Sequence, residues 1–504
     1  MIWFFLSLTI LFGLFRYLFL RLNTKLWNYF SDGPYGDAST YFFLIQFFRT
    51  KSCGVSDPRC LISKESVLVP SLFMKITGKL LSDRILFNSS WIPNLFIHVI
   101  SVACFLSFIY WNININSEVL ASILLLFLLQ PDNIGLDKHR IQYSVLQPRY
   151  FGLIINSFLW LTYIQHGITT ESFVLICFLL IVSINTSIFC RQSSLFSILL
   201  VSLISFDALL FLTLPVAVLV SIVLFPREFL PSVIPQLKYS YQYFLNYYKP
   251  KPSRNFFVHL VKNVIARPVF ESYPYFTSFL VLFISGFFMW SATDFTSSEY
   301  FTFKRLFTVY SALAVIFIMT GIRKFAFLGE CWRYFSYATY FSSAVYLPIL
   351  IFGLPISYEA KIIFVLLLII VNIALAVFVS KDLFENKNKY LISLLQASSE
   401  ELKNAIWYSV PYRTSTLAVA LGYGAKTFEY QYGNHSNEIH EMYFSEYPYL
   451  KWSEQMLEDN KVSHVLVERE YLDRASEKSG FSLDSLDLVV ENQHFSVYRY
   501  HSLN

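Results

Sequence analysis

Long apolar runs separated by short polar interruptions fill most of the chain, and the pattern changes near residue 381. Apolar segments occupy 2–20, 90–111, 117–130, 150–165, 172–190, 273–292, 306–322, 338–354 and 361–380. Most approach the ~20 residues that carry a helix across a hydrocarbon layer. The stretch 193–225 is longer, with Asp207 interrupting it and Pro215 further on. At about 1.5 Å per residue it exceeds one straight span. The preferred reading is two short spans turning near Asp207, which keeps that carboxylate at a membrane edge. One long, tilted helix is the alternative. The count is then about eleven spans.

Two polar stretches carry structure of their own. Segment 66–81 sets Lys75 and Lys79 four apart among apolar residues, the pattern of an amphipathic helix lying on a membrane surface. Stretch 226–270 is aromatic and basic, with Lys238, Lys249, Lys251, Arg254, Lys262 and Arg267, and is a second interfacial candidate. Beyond 381 the chain turns to Glu, Lys, Ser and Asn, with short β-branched apolar runs. Residues 463–468 and 495–500 read as strands, and 391–404 and 449–459 as helices. The division is therefore a membrane domain over 1–380 and a small α/β domain over 381–504.

Composition narrows the class. Of 504 residues, 55% are hydrophobic and 14% charged, too little charge to clothe a soluble protein of this size. The fold class that follows is a polytopic α-helical membrane protein with a C-terminal α/β soluble domain. The 52 Phe and 34 Tyr suit lipid-facing surface and interfacial belts. A net charge of +5 from scattered basic residues gives no stripe for nucleic acid. The first apolar run lacks a basic start and a small-residue cleavage site, so it reads as a span. Cys53 and Cys60 share one polar loop, where their spacing permits a disulfide without requiring one. If 2–20 starts in the cytoplasm, loops 21–89, 131–149, 226–270, 323–337 and the tail all lie outside. Lys and Arg concentrate in those loops, against the positive-inside rule, although long loops escape it and a phosphate-binding loop needs cations.

The candidate chemistry begins in Ser31-Asp32-Gly33-Pro34-Tyr35-Gly36-Asp37-Ala38-Ser39-Thr40-Tyr41, just after the first apolar run. A carboxylate beside hydrocarbon is costly, which makes Asp32 and Asp37 candidates for chemistry. Their competing role is to cap a surface helix beginning near Ser39. The second loop holds Asp137, His139 and Arg140, followed by Arg149 at a membrane boundary. The Arg149 guanidinium suits bidentate grip of a phosphate, or simple snorkelling to the interface. A third cluster runs Arg323-Lys324-Phe325-Ala326-Phe327-Leu328-Gly329-Glu330-Cys331-Trp332-Arg333-Tyr334. Its cations suit a phosphate leaving group, while Glu330 and Arg333 at helical spacing also suit each other. No carboxylate cluster for a divalent metal is evident, so no cofactor is expected.

This arrangement resembles the GT-C glycosyltransferases: one N-terminal span, an acidic first loop with surface helices, a charged second loop and a closing α/β domain. Gly-Glu-x-x-Arg-Tyr at 329–334 is similar to a signature in bacterial members, and Val410-Pro411-Tyr412-Arg413 with the strand around Val465 to their external domains. The paired Asp-Glu of the mannosyltransferases and the Trp-Trp-Asp of oligosaccharyltransferases are absent. The resemblance implies transfer of a sugar from a polyprenyl-phosphate donor to a lipid, glycan or protein acceptor, with inversion. It implies Asp37 as general base, with Asp32 as fallback. It places Asp137, His139, Arg140, Arg149, Arg323, Lys324, Glu330, Arg333 and Tyr334 around donor and acceptor, on the outer face of a plasma membrane. A lipid-linked-sugar transporter, a polysaccharide polymerase or ligase, and a non-catalytic relative are the competing readings.

Overall fold

The computed structural model describes Ser7 and residues 37–51, 55–61, 70–88, 91–113, 115–128, 148–233, 236, 273–291, 297–321, 325, 328, 331–380, 387–428 and 449–501. From residue 37 on, the described residues form three short helices, α1 (Asp37–Phe48), α2 (Leu72–Leu80) and α3 (Asp83–Asn88). Ten longer helices follow among the described residues: α4 (Trp91–Asn112), α5 (Ser117–Leu128), α6 (Pro148–His166), α7 (Thr170–Thr186), α8 (Ile188–Ser205), α9 (Ala208–Leu224), α10 (Tyr273–Ser291), α11 (Ser297–Gly321), α12 (Cys331–Gly353) and α13 (Tyr358–Ser380).

Their side-chain contacts fix their directions. His98 meets Tyr150 and Asn112 meets Gln165, so α4 and α6 run the same way. Ser157 meets Tyr337 and Gln165 meets Tyr346, which sets α12 parallel to α6. Asn156 bonds Ser193 while Tyr163 bonds Asp207, so α8 also runs with α6. Ser278 bonds Thr339 and Phe288 packs on Gly353, adding α10 to this set. Between them α7, α9 and α11 run the opposite way; Tyr310 bonds Ser342 while the Phe317 ring packs tilted against Phe335. An up-and-down bundle results, with the starts of α4, α6, α8, α10 and α12 at one end.

The turn at Asp207 shows why 193–225 is two helices. Phe206 adopts a left-handed conformation that ends α8, and the Asp207 carboxylate accepts from the Leu210 amide to cap α9. Such a cap contributes about 1 kcal/mol. Ser187 starts α8 in the same way, accepting from the Cys190 amide, so the run read as 172–190 ends at Thr186. Among the described residues two helices, Ile188–Ser205 and Glu299–Thr320, are long and apolar enough to cross a membrane.

Small polar side chains knit the bundle interior. Asn156 Oδ1 accepts from Ser194 and Ser183, and Asn185 donates to Ser221. These bonds satisfy buried groups that would otherwise cost about 1–3 kcal/mol each.

The last part of the chain forms α14 (Lys387–Ala397), α15 (Ser399–Leu402), β1 (Ile406–Val410), α16 (Thr414–Ala420), β2 (Lys426–Thr427), α17 (Glu454–Asp459), β3 (His464–Glu468), α18 (Leu472–Ser479), β4 (Leu486–Glu491) and β5 (Phe495–Tyr500). The sheet order is β2-β1-β3-β5-β4. β1 is parallel to both β2 and β3, while β5 runs antiparallel to β3 and β4. Trp407, Tyr408, Val465 and Leu466 are fully buried between the layers. Residues 391–404, read as one helix, break at Ser398, and the helix in 449–459 is confined to α17.

Candidate functional site

The first-loop residues form a structure at the end of the bundle where α6 begins. α1 starts at Asp37 and buries Ser39 and Thr40 within its first turn. α2 packs beside it. The Arg49 guanidinium donates to the Gly78 carbonyl at 2.7 Å and the Leu81 carbonyl at 3.2 Å, and pairs with Asp83 at 2.6 Å. Glycine at 78 is required by that packing, because a Cβ would sit 2.8 Å from the Ile45 carbonyl oxygen. Phe73 of α2 packs on Phe151 of α6, with ring centroids 5.5 Å apart.

Arg149, in the first turn of α6, reaches this junction. Its guanidinium carbon lies 4.4 Å from the Phe189 ring centroid and 5.8 Å from that of Tyr41. Tyr41 is one helical turn beyond Asp37 along α1. Tyr150 follows, its hydroxyl 2.6 Å from His98 Nδ1. The start of α12 lies at the same end of the bundle, and with it Arg333 and Tyr334. Tyr334 is buried and donates its hydroxyl to the Leu328 carbonyl. The positive ends of α6 and α12 thus lie at one end of the bundle, an environment that favours an anion.

Asp32, Asp137, His139, Arg140, Arg323, Lys324, Glu330 and Cys53 lie outside the described residues. Among the described residues no group of three metal-ligating side chains occurs.

Sequence reasoning missed the residues that brace the first loop. Gln46 donates to the Ala420 carbonyl at 2.9 Å and to Asp83 at 3.2 Å, and accepts from Arg59 at 3.0 Å. Arg59 pairs with buried Asp57 at 2.8 Å and lies 3.7 Å over the Phe43 ring. In the sequence Gln46 is a polar residue inside an apolar stretch, while Asp57 and Arg59 read as ordinary members of a polar loop. At the far end, Arg305 donates to the Ile164 and Gln165 carbonyls, closing the C-terminus of α6.

The α/β part holds a separate charged cluster. Glu468, at the end of β3, is 1% exposed and accepts from Lys387 at 2.6 Å, and Lys387 also pairs with Glu470 at 2.7 Å. Burial dominates and pushes the Glu468 carboxyl up to about 7, although Lys387 pulls the other way. The folded state therefore holds a proton that the unfolded chain releases near 4.5. Stability from this group is complete below 4.5 and is lost as pH rises through 7. Thermal unfolding should show wild type more stable at pH 6 than at pH 8 by about 1 kcal/mol. Glu468→Gln should flatten that difference; an unchanged pH dependence would assign it to other groups.

No protein-family model and no curated protein matches the chain.

Proposed function

We propose that the chain is a polytopic membrane glycosyltransferase that takes a sugar from a polyprenyl-phosphate donor. The observation that carries this reading is the junction of Asp37-bearing α1 with Arg149 at one end of an apolar helical bundle. The bundle's outward side chains fit a bilayer. Phe178, Leu203, Val223, Phe283, Ile363 and Ile370 are exposed along its flanks, apolar side chains that suit lipid. At the end away from Arg149, Trp111, Phe206 and Trp290 are 75%, 92% and 91% exposed. Aromatic side chains gathered at one level suit a membrane–water interface. Including the run 2–20, the reading keeps about eleven spans, with the site and the α/β unit on the outer face of a plasma membrane.

The chemistry is a single displacement. The acceptor oxygen attacks the anomeric carbon while the bond from that carbon to the phosphate oxygen breaks. The acceptor proton passes to the Asp37 carboxylate, and the lipid phosphate leaves with its charge beside Arg149. Inversion follows from attack opposite the leaving group. The acceptor is a lipid, glycan or protein hydroxyl.

The test is turnover of a panel of polyprenyl-phosphate sugars by membranes carrying the full chain. Consumption of one donor supports the reading. Movement of a donor across the bilayer without cleavage would replace it with a transporter, and no consumption would leave a non-catalytic relative. Arg149→Ala should raise KM for the donor about tenfold, since a charge-assisted contact contributes ~1.5–3 kcal/mol. Arg149→Lys should recover only part, because a point charge lacks the planar fork. An unchanged KM in Arg149→Ala would reduce the residue to an interfacial anchor.

A further inference from the structure

Three hydrophobic clusters occur among the described residues, one in the bundle and two packed on the sheet, and α1 belongs to one of the sheet pair. Phe43, Leu44, Phe47 and Phe48 of α1 share it with Leu391 and Leu395 of α14, Leu417 of α16, and Trp407 and Leu466 of the sheet. The bundle contributes only partly buried Ile97, Phe151 and Ile188 to that cluster. The first loop also lengthens the sheet. Thr427 of β2 donates its amide to the Arg59 carbonyl and accepts at its own carbonyl from the Leu61 amide, both at 2.9 Å. Cys60 thereby forms a parallel bridge with Thr427. Gln46 closes the contact from the helix side through the Ala420 carbonyl, while its oxygen accepts from Arg59.

We propose that the C-terminal α/β unit is the frame that fixes α1 over the bundle, with Gln46 as the positioning residue that couples the two. The physical ground is the division of contacts. An isolated helix of 12 residues is marginal in water, so α1 takes its order from what it packs on: α16 of the α/β unit on one side, and α2 and α3 of its own loop on the other. Gln46 carries bonds to three separate elements: α16, α3 and the strand-like segment at Arg59. Replacing it with an apolar side chain of similar size keeps the packing and removes the bonds. The Ala420 carbonyl and the Arg59 guanidinium then each lose a partner at the junction.

Its consequence for catalysis rests on the proposed function. If Asp37 is the base, the C-terminal unit sets its position without touching the reacting atoms. Loosened α1 then lowers kcat while leaving donor KM nearly unchanged, because Arg149 belongs to the bundle. The positioning itself stands apart from any activity and has its own readout.

The experiment is amide hydrogen exchange on the full chain in lipid nanodiscs, comparing wild type, Gln46→Leu and Gln46→Glu. Gln46→Glu keeps the acceptor for Arg59 but sets a second carboxylate against Asp83 and the Ala420 carbonyl, so it loosens the junction by repulsion where Gln46→Leu does so by losing bonds. The expected result is exchange across 39–48 accelerated about tenfold or more in both variants, with α8 and α11 unchanged. Exchange in α1 equal to wild type in both variants overturns the proposal. So does acceleration spread equally through α8 and α11, which would make Gln46 a general stability residue. Loosened α1 in a chain that turns over no donor sinks the enzyme reading and leaves the positioning standing. With turnover present, a kcat loss at constant KM supports the coupling, and a KM rise at constant kcat overturns it.

Discussion

Asp37→Asn lowers donor turnover by about 10²-fold or more at unchanged expression, measured in membranes with the donor that wild type consumes. That is the lower range for a positioned general base. Asn has nearly the shape of Asp and is as good a residue at a helix start, so α1 keeps its beginning. A carboxylate in the first turn also complements the helix dipole, by about 0.3–1 kcal/mol. If that were its whole role, the substitution would shift thermal stability slightly and leave turnover within a few-fold of wild type. The two roles therefore separate on which quantity moves. Turnover in Asp37→Asn equal to wild type would return Asp37 to helix capping and shift the search to Asp32 and Asp137.

The helical part of the fold was legible because apolar run length and polar interruption are local signals. Runs 90–111, 273–292 and 361–380 coincide with α4, α10 and α13 to within a few residues. The start of α11 at Ser297, well before the run at 306, was hidden by Glu299, Lys304 and Arg305. Of these, Arg305 turns toward α6 carbonyls rather than to water. Ser187 was invisible inside the run 172–190, since a hydroxyl among apolar residues reads as filler until its capping bond is seen. In the tail, β3 and β5 were legible from short β-branched and aromatic runs, although β3 is buried along its whole length. β1 was missed: it is buried along nearly its whole length and carries Trp407, Tyr408 and Ser409 without an exposed partner face. A central strand flanked on both sides has no alternation to read.

The candidate site was legible by residue type and not by arrangement. Acidic residues beside an apolar run and an arginine at the start of a helix stand out in any membrane chain. What the chain order conceals is that α1 shares a core with a sheet more than 350 residues downstream, as Leu44 does with Trp407 and Leu466. No periodicity reports such a contact. It is carried by the backbone amide of Thr427 and the side chain of Gln46, neither of which is distinctive by identity.

Gly152→Val is expected to destabilise the bundle by about 3 kcal/mol or more and to reduce the amount of folded protein recovered from membranes. Even a single methyl at this position would lie 1.9 Å from Cys190 Sγ and 2.9 Å from Cys190 Cβ. Cys190 is fully buried and bonded to Ser187 at the start of α8, so it has no space into which to retreat. Glycine is therefore what lets α6 and α8 approach, the use to which small residues are put between helices in lipid. The clash is one turn from Arg149, so α6 and α8 must separate where that guanidinium lies over Phe189. A second substitution tests the cause. Gly152→Ala with Cys190→Gly removes both offending atoms and should restore most of the stability lost in Gly152→Ala alone, measured by thermal unfolding in detergent as a double-mutant cycle. Additive losses in that cycle would mean the two residues do not meet, and the α6–α8 crossing would have to lie elsewhere.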